Sequence, residues 1–128
     1  MEPITIDATK SSPFVLIDPA AHLFQIKGES YPENAAKFFG PVLSFINEYL
    51  YSSGTSRITI DMQLTYFNSS SSKVLLNLFE SLEKAVSEGK DVIVNWWYHP
   101  ENEILLEAGE EFQNEFPSLP FKFIEIFS

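Results

Sequence analysis

The chain has no cysteine. That excludes disulfides and thiolate metal sites and suits a reducing compartment. Cations are scarce: 8 Lys and Arg stand against 18 Asp and Glu, a formal net charge of −10 over 128 residues. Such a surface repels phosphate backbones and anionic lipid, so neither nucleic acid nor a membrane surface is an expected partner. A protein with a basic patch suits it better. No stretch approaches the roughly 20 apolar residues that a membrane span needs. Met1-Glu2-Pro3-Ile4-Thr5-Ile6-Asp7 lacks the basic flank and apolar run of a secretory signal. The sequence therefore predicts a soluble, cytoplasmic protein. Enzyme signatures are missing as well. The two histidines, His22 and His99, are far apart and have no metal-ligand spacing, no glycine-rich phosphate loop occurs, and nothing places a base beside a serine. Neither catalytic residues nor a metal or other cofactor is expected.

What is present is a core. Apolar residues make up 45% of the chain and 12 are phenylalanine, enough for one domain spanning 1–128. The polar residues 1–12 read as a loosely held arm. Phe14–Ile17, stopped by Asp18-Pro19, and the alternating His22–Gly28 read as an antiparallel hairpin. Ser30 and Glu33 have capping-box spacing, which starts a first helix there. Ala35, Phe38, Phe39, Val42, Ile46, Tyr49 and Leu50 recur at helical spacing, Gly40-Pro41 predicts a kink or short break, and Ser52-Ser53-Gly54 ends the helix. Arg57–Met62 alternates as a strand. A second helix over 69–88 buries Val74, Leu75, Leu78, Phe79, Leu82, Ala85 and Val86. Val92–Trp97, apolar on both faces, reads as an interior strand that sends Trp96 and Trp97 to opposite sides. A third helix from Glu101 buries Ile104, Leu105, Ala108 and Phe112, with Gly109 a mild weakness and its glutamates forming a solvated face; Phe121–Ile126 is the last strand. The order ββαβαβαβ predicts an α/β fold, a mixed sheet with about three helices packed against it.

The most unusual local feature is Tyr66-Phe67-Asn68-Ser69-Ser70-Ser71-Ser72-Lys73, between a strand and the second helix. One serine is enough to cap a helix, and four stand in a row. A helix start attracts anions, and a phosphate esterified there would add about −1.5 to −2 charges. The residues alone fit either a phosphosite or a serine-rich cap. Asn68 either orients an acceptor loop or simply ends the strand.

Strand, then Asn68-Ser69-Ser70, then a helix carrying Val74-Leu75-Leu76 resembles the phospho-acceptor segment of STAS domains, the anti-sigma-factor antagonists. Asn68 stands where those proteins have aspartate, and Ser71-Ser72 where they have a glycine and an apolar residue. The chain is more similar to the SiaC family of biofilm-regulating phosphoproteins, STAS-like in fold. Gly28-Glu29-Ser30-Tyr31-Pro32-Glu33-Asn34 and Leu64–Lys73 carry that likeness, with the Trp96-Trp97-Tyr98 strand end as a looser match. The resemblance implies a signal-transducing partner switch. A serine/threonine kinase with a histidine-kinase-like ATPase fold would phosphorylate the chain and a metal-dependent phosphatase would reverse it. The unphosphorylated form would bind and activate a diguanylate cyclase, raising cyclic-di-GMP. The implied acceptor is Ser69, with Ser70 second. The implied partner surface is Tyr31, Pro32, Glu33, Asn34, Tyr66, Asn68, Ser71 and Lys73. The alternatives are an anti-sigma-factor antagonist and a module binding a small anion or ligand at the second helix's N-terminus.

Overall fold

A computed structural model describes residues 2–52, 54 and 56–127. Six strands form one sheet in chain order: β1 (Ile4–Ile6), β2 (Phe14–Asp18), β3 (Leu23–Ser30), β4 (Ile58–Phe67), β5 (Val92–Tyr98) and β6 (Phe121–Glu125). The helices α1 (Ala35–Ser52), α2 (Ser69–Ser87) and α3 (Glu103–Glu115) link β3 to β4, β4 to β5 and β5 to β6. β1, β2 and β3 pair antiparallel, and β3 to β6 pair parallel. Each helical crossover steps to the next strand in the same direction. Parallel crossovers share one hand, so all three helices are placed on one face of the sheet. Burial follows that geometry. Val92, Val94 and Trp96 of β5 are buried while Ile93, Asn95 and Trp97 are half-exposed. The mixed sheet with three helices is the expected architecture, but β5 is interior only in its pairing, with one face rather than two covered.

The expected loose arm instead contains β1, whose Ile4, Thr5 and Ile6 pair with Ile17, Leu16 and Val15, so the order is βββαβαβαβ. Alternating Ile-Thr-Ile is too short to signal a strand alone and forms one against a ready-made edge. Helix α1 begins later than the capping-box spacing suggests. Ser30 is the last residue of β3, and Asn34 caps the helix instead, its Oδ1 accepting from the Lys37 N–H at 3.0 Å. The helix runs unbroken through Pro41, on its exposed side. Its expected end at Ser52-Ser53-Gly54 falls partly outside the described residues. The third helix starts at Glu103, capped by Asn102, whose Oδ1 accepts from the Leu105 N–H at 3.1 Å.

In α3, Leu105, Gly109 and Phe112 are buried, whereas Ile104, expected in the core, is 82% exposed and Ala108 is half-buried. Gly109 is no weakness. A Cβ there would stand 2.5 Å from Trp96 Nε1, 2.6 Å from Cδ1 and 2.8 Å from Phe123 Cε1. Bare backbone lets the indole lie against the helix and donate to the Leu105 carbonyl at 3.1 Å. Phe79, Trp96, Phe112, Phe116 and Phe121 interlock around it, with Phe79 and Phe112 centroids 5.0 Å apart.

Candidate functional site

Parallel strands gather their carboxyl ends on one edge of the sheet, which is where open α/β sheets place their sites. Here that edge carries Ser30 at the end of β3 and Phe67 at the end of β4, paired in register. The pairing slips between Gly28 and Glu29: Gly28 is opposite Leu64 and Glu29 is opposite Tyr66, leaving Thr65 over. Gly28 has φ of 101°, open to glycine at no steric cost. The bulge changes which side chains face the helices. Ile58, Ile60, Met62 and Leu64 are buried beneath them; after the extra residue, Phe67 packs on Trp96 and Phe112 while Tyr66 turns outward, 52% exposed. Its ring meets Tyr31 edge-on, centroids 5.9 Å apart.

Asn68 follows as the N-cap of α2, extended at φ −87° and ψ 178°, its Oδ1 accepting from the Ser71 N–H at 2.9 Å. Its own N–H donates to the Ser30 carbonyl at 3.1 Å, and its carbonyl accepts from the Ser72 N–H at 2.9 Å. Asn68 thus both ends the strand and fixes the turn. Beneath it, Ser30 and Ser71, 0% and 1% exposed, share a hydrogen bond of 2.8 Å between hydroxyls. The four serines are therefore not equivalent. Ser69 and Ser70 are exposed, Ser71 is sealed inside and Ser72 is half-buried. Asn68 leaves the first N–H groups of α2 without an intrahelical acceptor, and Lys73 stands one turn beyond Ser69 and Ser70. On the α1 side, Ser70 and Lys73 line a cleft of about 380 Å³ with Glu33, Asn34 and Asn77, where the starts of α1 and α2 converge.

Of the surface expected around the acceptor, Glu33, Asn34, Tyr66 and Lys73 are exposed, Tyr31 and Asn68 are half-buried, and all lie at this edge. Two expected contact residues are corrected. Ser71 and Pro32 are buried, Ser71 with its hydroxyl bonded to that of Ser30. Ser30 is likewise neither helix cap nor surface. Sequence reading missed Thr65, Asn102 and Ile104. Asn102 Nδ2 donates to the Thr65 carbonyl at 3.3 Å, tying α3 to the bulge. Its Asx-type cap before Glu103-Ile104-Leu105 was the available signal, since it sets the frame that turns Ile104 outward. The histidines fall at opposite ends of the parallel strands, His22 just before β3 and His99 just after β5. Beside His22, burial and then the Asp18 charge push the Tyr49 phenol up to about 12, so it stays neutral across the physiological range.

The α/β domain thus presents a capped helix start with two exposed serines at the carboxyl edge of its sheet, where another molecule can reach their hydroxyls. A family model described as SiaC family regulatory phosphoprotein matches residues 6–126. The chain belongs to that family. It is 34% identical over 121 residues to a protein of Pseudomonas aeruginosa strain UCBPP-PA14, the match covering 94% of each chain. The crystal structure of apo-SiaC from P. aeruginosa is similar with a TM-score of 0.89 and 32% identity, over 97% of this chain and 99% of that one. So is a chain in the crystal structure of the diguanylate cyclase SiaD in complex with its activator SiaC from P. aeruginosa, with a TM-score of 0.90 and 32% identity, over 96% of this chain and 99% of that one.

Proposed function

We propose that this protein is a phosphorylation-controlled activator of a diguanylate cyclase, with Ser69 as the acceptor and Ser70 as the alternative. It acts by binding rather than by turnover, as one domain in the cytoplasm, where a serine/threonine kinase with a histidine-kinase-like ATPase fold modifies it and a metal-dependent phosphatase restores it. The observation that carries the reading is the exposed Ser69 hydroxyl at the first position of α2, in a chain of a regulatory phosphoprotein family. The complex of SiaD with its activator SiaC supports the choice of a cyclase as target.

The physics of the position suits a switch. A phosphoserine carries about −1.5 to −2 charges at neutral pH. At the start of α2 that charge meets a helix macrodipole worth about half a positive charge, open N–H groups and, one turn on, Lys73. Such an anion is favoured by about 0.3–1 kcal/mol, so modification leaves the fold standing. Its effect falls on the surface, where Tyr66, Asn68, Glu33 and Asn34 lie close by. The test is to incubate the purified protein with its cognate kinase and ATP and to map the phosphate by tandem mass spectrometry. One phosphate on Ser69 is expected. No phosphate from a kinase active on another substrate, or phosphate confined to residues away from 69–70, overturns the assignment.

A further inference from the structure

The three helices cover one face of the sheet and leave the other open, so that alternate strand residues there are half-exposed or exposed. Antiparallel strands commonly keep one solvated face, but parallel strands are almost always covered on both. β3 to β6 are parallel, yet Gln25, Asp61, Ile93 and Trp97 on this face all stay partly in contact with solvent. Pairing carries one row of the face across all six strands: Thr5, Leu16, Gln25, Asp61, Asn95 and Lys122. Apolar side chains flank its polar centre, Leu16 and Leu23 on one side and Ile93, Trp97 and Ile124 on the other. Asp61 holds the centre. Its Oδ1 accepts from the Trp97 indole N–H, and its Oδ2 accepts from Gln25 Nε2 at 3.2 Å. Side chains already fixed in this way lose little freedom on contact.

Charge selects the occupant. Within the strands and short of the bulge at Gly28, the open face carries Lys27 and Lys122 against Asp18 and Asp61, a balance of zero on a chain of −10. Among the described residues the ion pair found is Arg57–Asp91, so these four are not paired within the chain. A basic partner would be drawn first to α3, where five glutamates stand with neither Lys nor Arg. A second copy is repelled by such surfaces and meets no net repulsion here. In a two-fold contact each lysine–aspartate approach occurs twice. The five strands β2 to β6, about 4.8 Å apart and about five residues deep, span roughly 24 by 17 Å, or about 400 Å² of projected face. That is at the low end for a specific interface and sets a weak association.

We propose that two copies of this chain pack through their open sheet faces, β2 to β6 of one over those of the other, as a weak two-fold dimer. Lys27 and Lys122 of each copy face the aspartates of its partner, and the Trp97 indoles are covered in the contact. The proposal does not rest on the phosphosite. Ser69 and Ser70 lie on the helix side and stay exposed in the pair.

The test is sedimentation of the full chain from about 1 to 500 µM at about 0.15 M salt, with ¹⁵N spectra over the same range. A monomer–dimer equilibrium is expected, with a dissociation constant on the order of 10–100 µM. The Trp97 indole signal is expected to move with concentration while that of the buried Trp96 stays. Lys122→Glu and Lys27→Glu, both at exposed positions and both checked for an unchanged circular dichroism spectrum, are each expected to weaken the dimer at least about tenfold. Lys84→Glu makes the same change of charge on the exposed side of α2 and is expected to alter the constant by less than about threefold. A chain that stays monomeric at the highest concentration overturns the proposal. So do equal losses from all three variants, or concentration-dependent shifts confined to the helices. Neither kinase nor cyclase enters the experiment, so a failure to phosphorylate Ser69 leaves its result standing, and its failure leaves the phosphosite standing.

Discussion

Gly109→Ala is expected to lower stability by about 2–4 kcal/mol, although alanine is the better helix former by about 1 kcal/mol. The added methyl has nowhere to go. Its position is 2.5 Å from Trp96 Nε1 and 2.8 Å from Phe123 Cε1, inside any real contact distance. The indole cannot swing aside cheaply, because Trp96 is 1% exposed and packed on Phe79 and Phe112. Overpacking a core costs about 1–3 kcal/mol. Pushing the indole out of reach of the Leu105 carbonyl leaves a buried donor unsatisfied, about 1–3 kcal/mol more. Set against the propensity gain, the net loss should lower the melting temperature by about 10 °C. Thermal unfolding followed by circular dichroism measures it. A melting point unchanged or raised would mean that helix propensity governs this position and that the indole packs elsewhere.

The second large effect is functional. Ser69→Ala is expected to abolish phosphate incorporation by the cognate kinase, a drop of at least about a hundredfold. Ser71→Ala should leave incorporation near the unaltered level. A kinase has to bring the acceptor hydroxyl in line with the γ-phosphate, which requires an accessible oxygen. Ser69 offers one, whereas the Ser71 hydroxyl is buried against Ser30 at 2.8 Å. The cost of Ser71→Ala falls on stability instead, about 1–3 kcal/mol for the hydroxyl of Ser30 left unpaired. Radiolabel incorporation and a melting curve on the same two variants separate the roles. Incorporation lost in Ser71→Ala at unchanged stability would contradict the assignment.

Hydrophobic period was sufficient to read the central strands and all three helices from sequence, since each buries one regular face: Ile58, Ile60 and Met62 on β4, or Val74, Leu75, Leu78, Phe79 and Leu82 on α2. The serine run was legible as a helix start because Asn68 and the serines are cap residues followed directly by that period. What was not legible depends on neighbours distant in sequence. Ile4–Ile6 becomes a strand only because β2 offers an edge. Ser30 looks like a helix cap until β3 extends to it and Ser71 takes its hydroxyl. Gly109 looks weak until Trp96 is placed beside it. Ile104 fits the helical stripe in the sequence, yet the Asn102 cap sets a frame in which Leu105 and Phe112 take the core and Ile104 faces out. The bulge at Thr65 is a two-strand property, and with it the outward turn of Tyr66.

The central claim is that one phosphate on Ser69 decides whether this chain binds its cyclase. The most direct measurement titrates the purified cognate diguanylate cyclase with the unmodified protein and with the Ser69-phosphorylated form, following affinity by calorimetry and cyclic-di-GMP production in the same samples. The unmodified form is expected to bind and to stimulate the cyclase, and the phosphorylated form, its binding surface altered by about −1.5 to −2 charges, to bind at least about tenfold more weakly, a difference of about 1.4 kcal/mol or more. Equal affinity and equal stimulation by the two forms would contradict the switch.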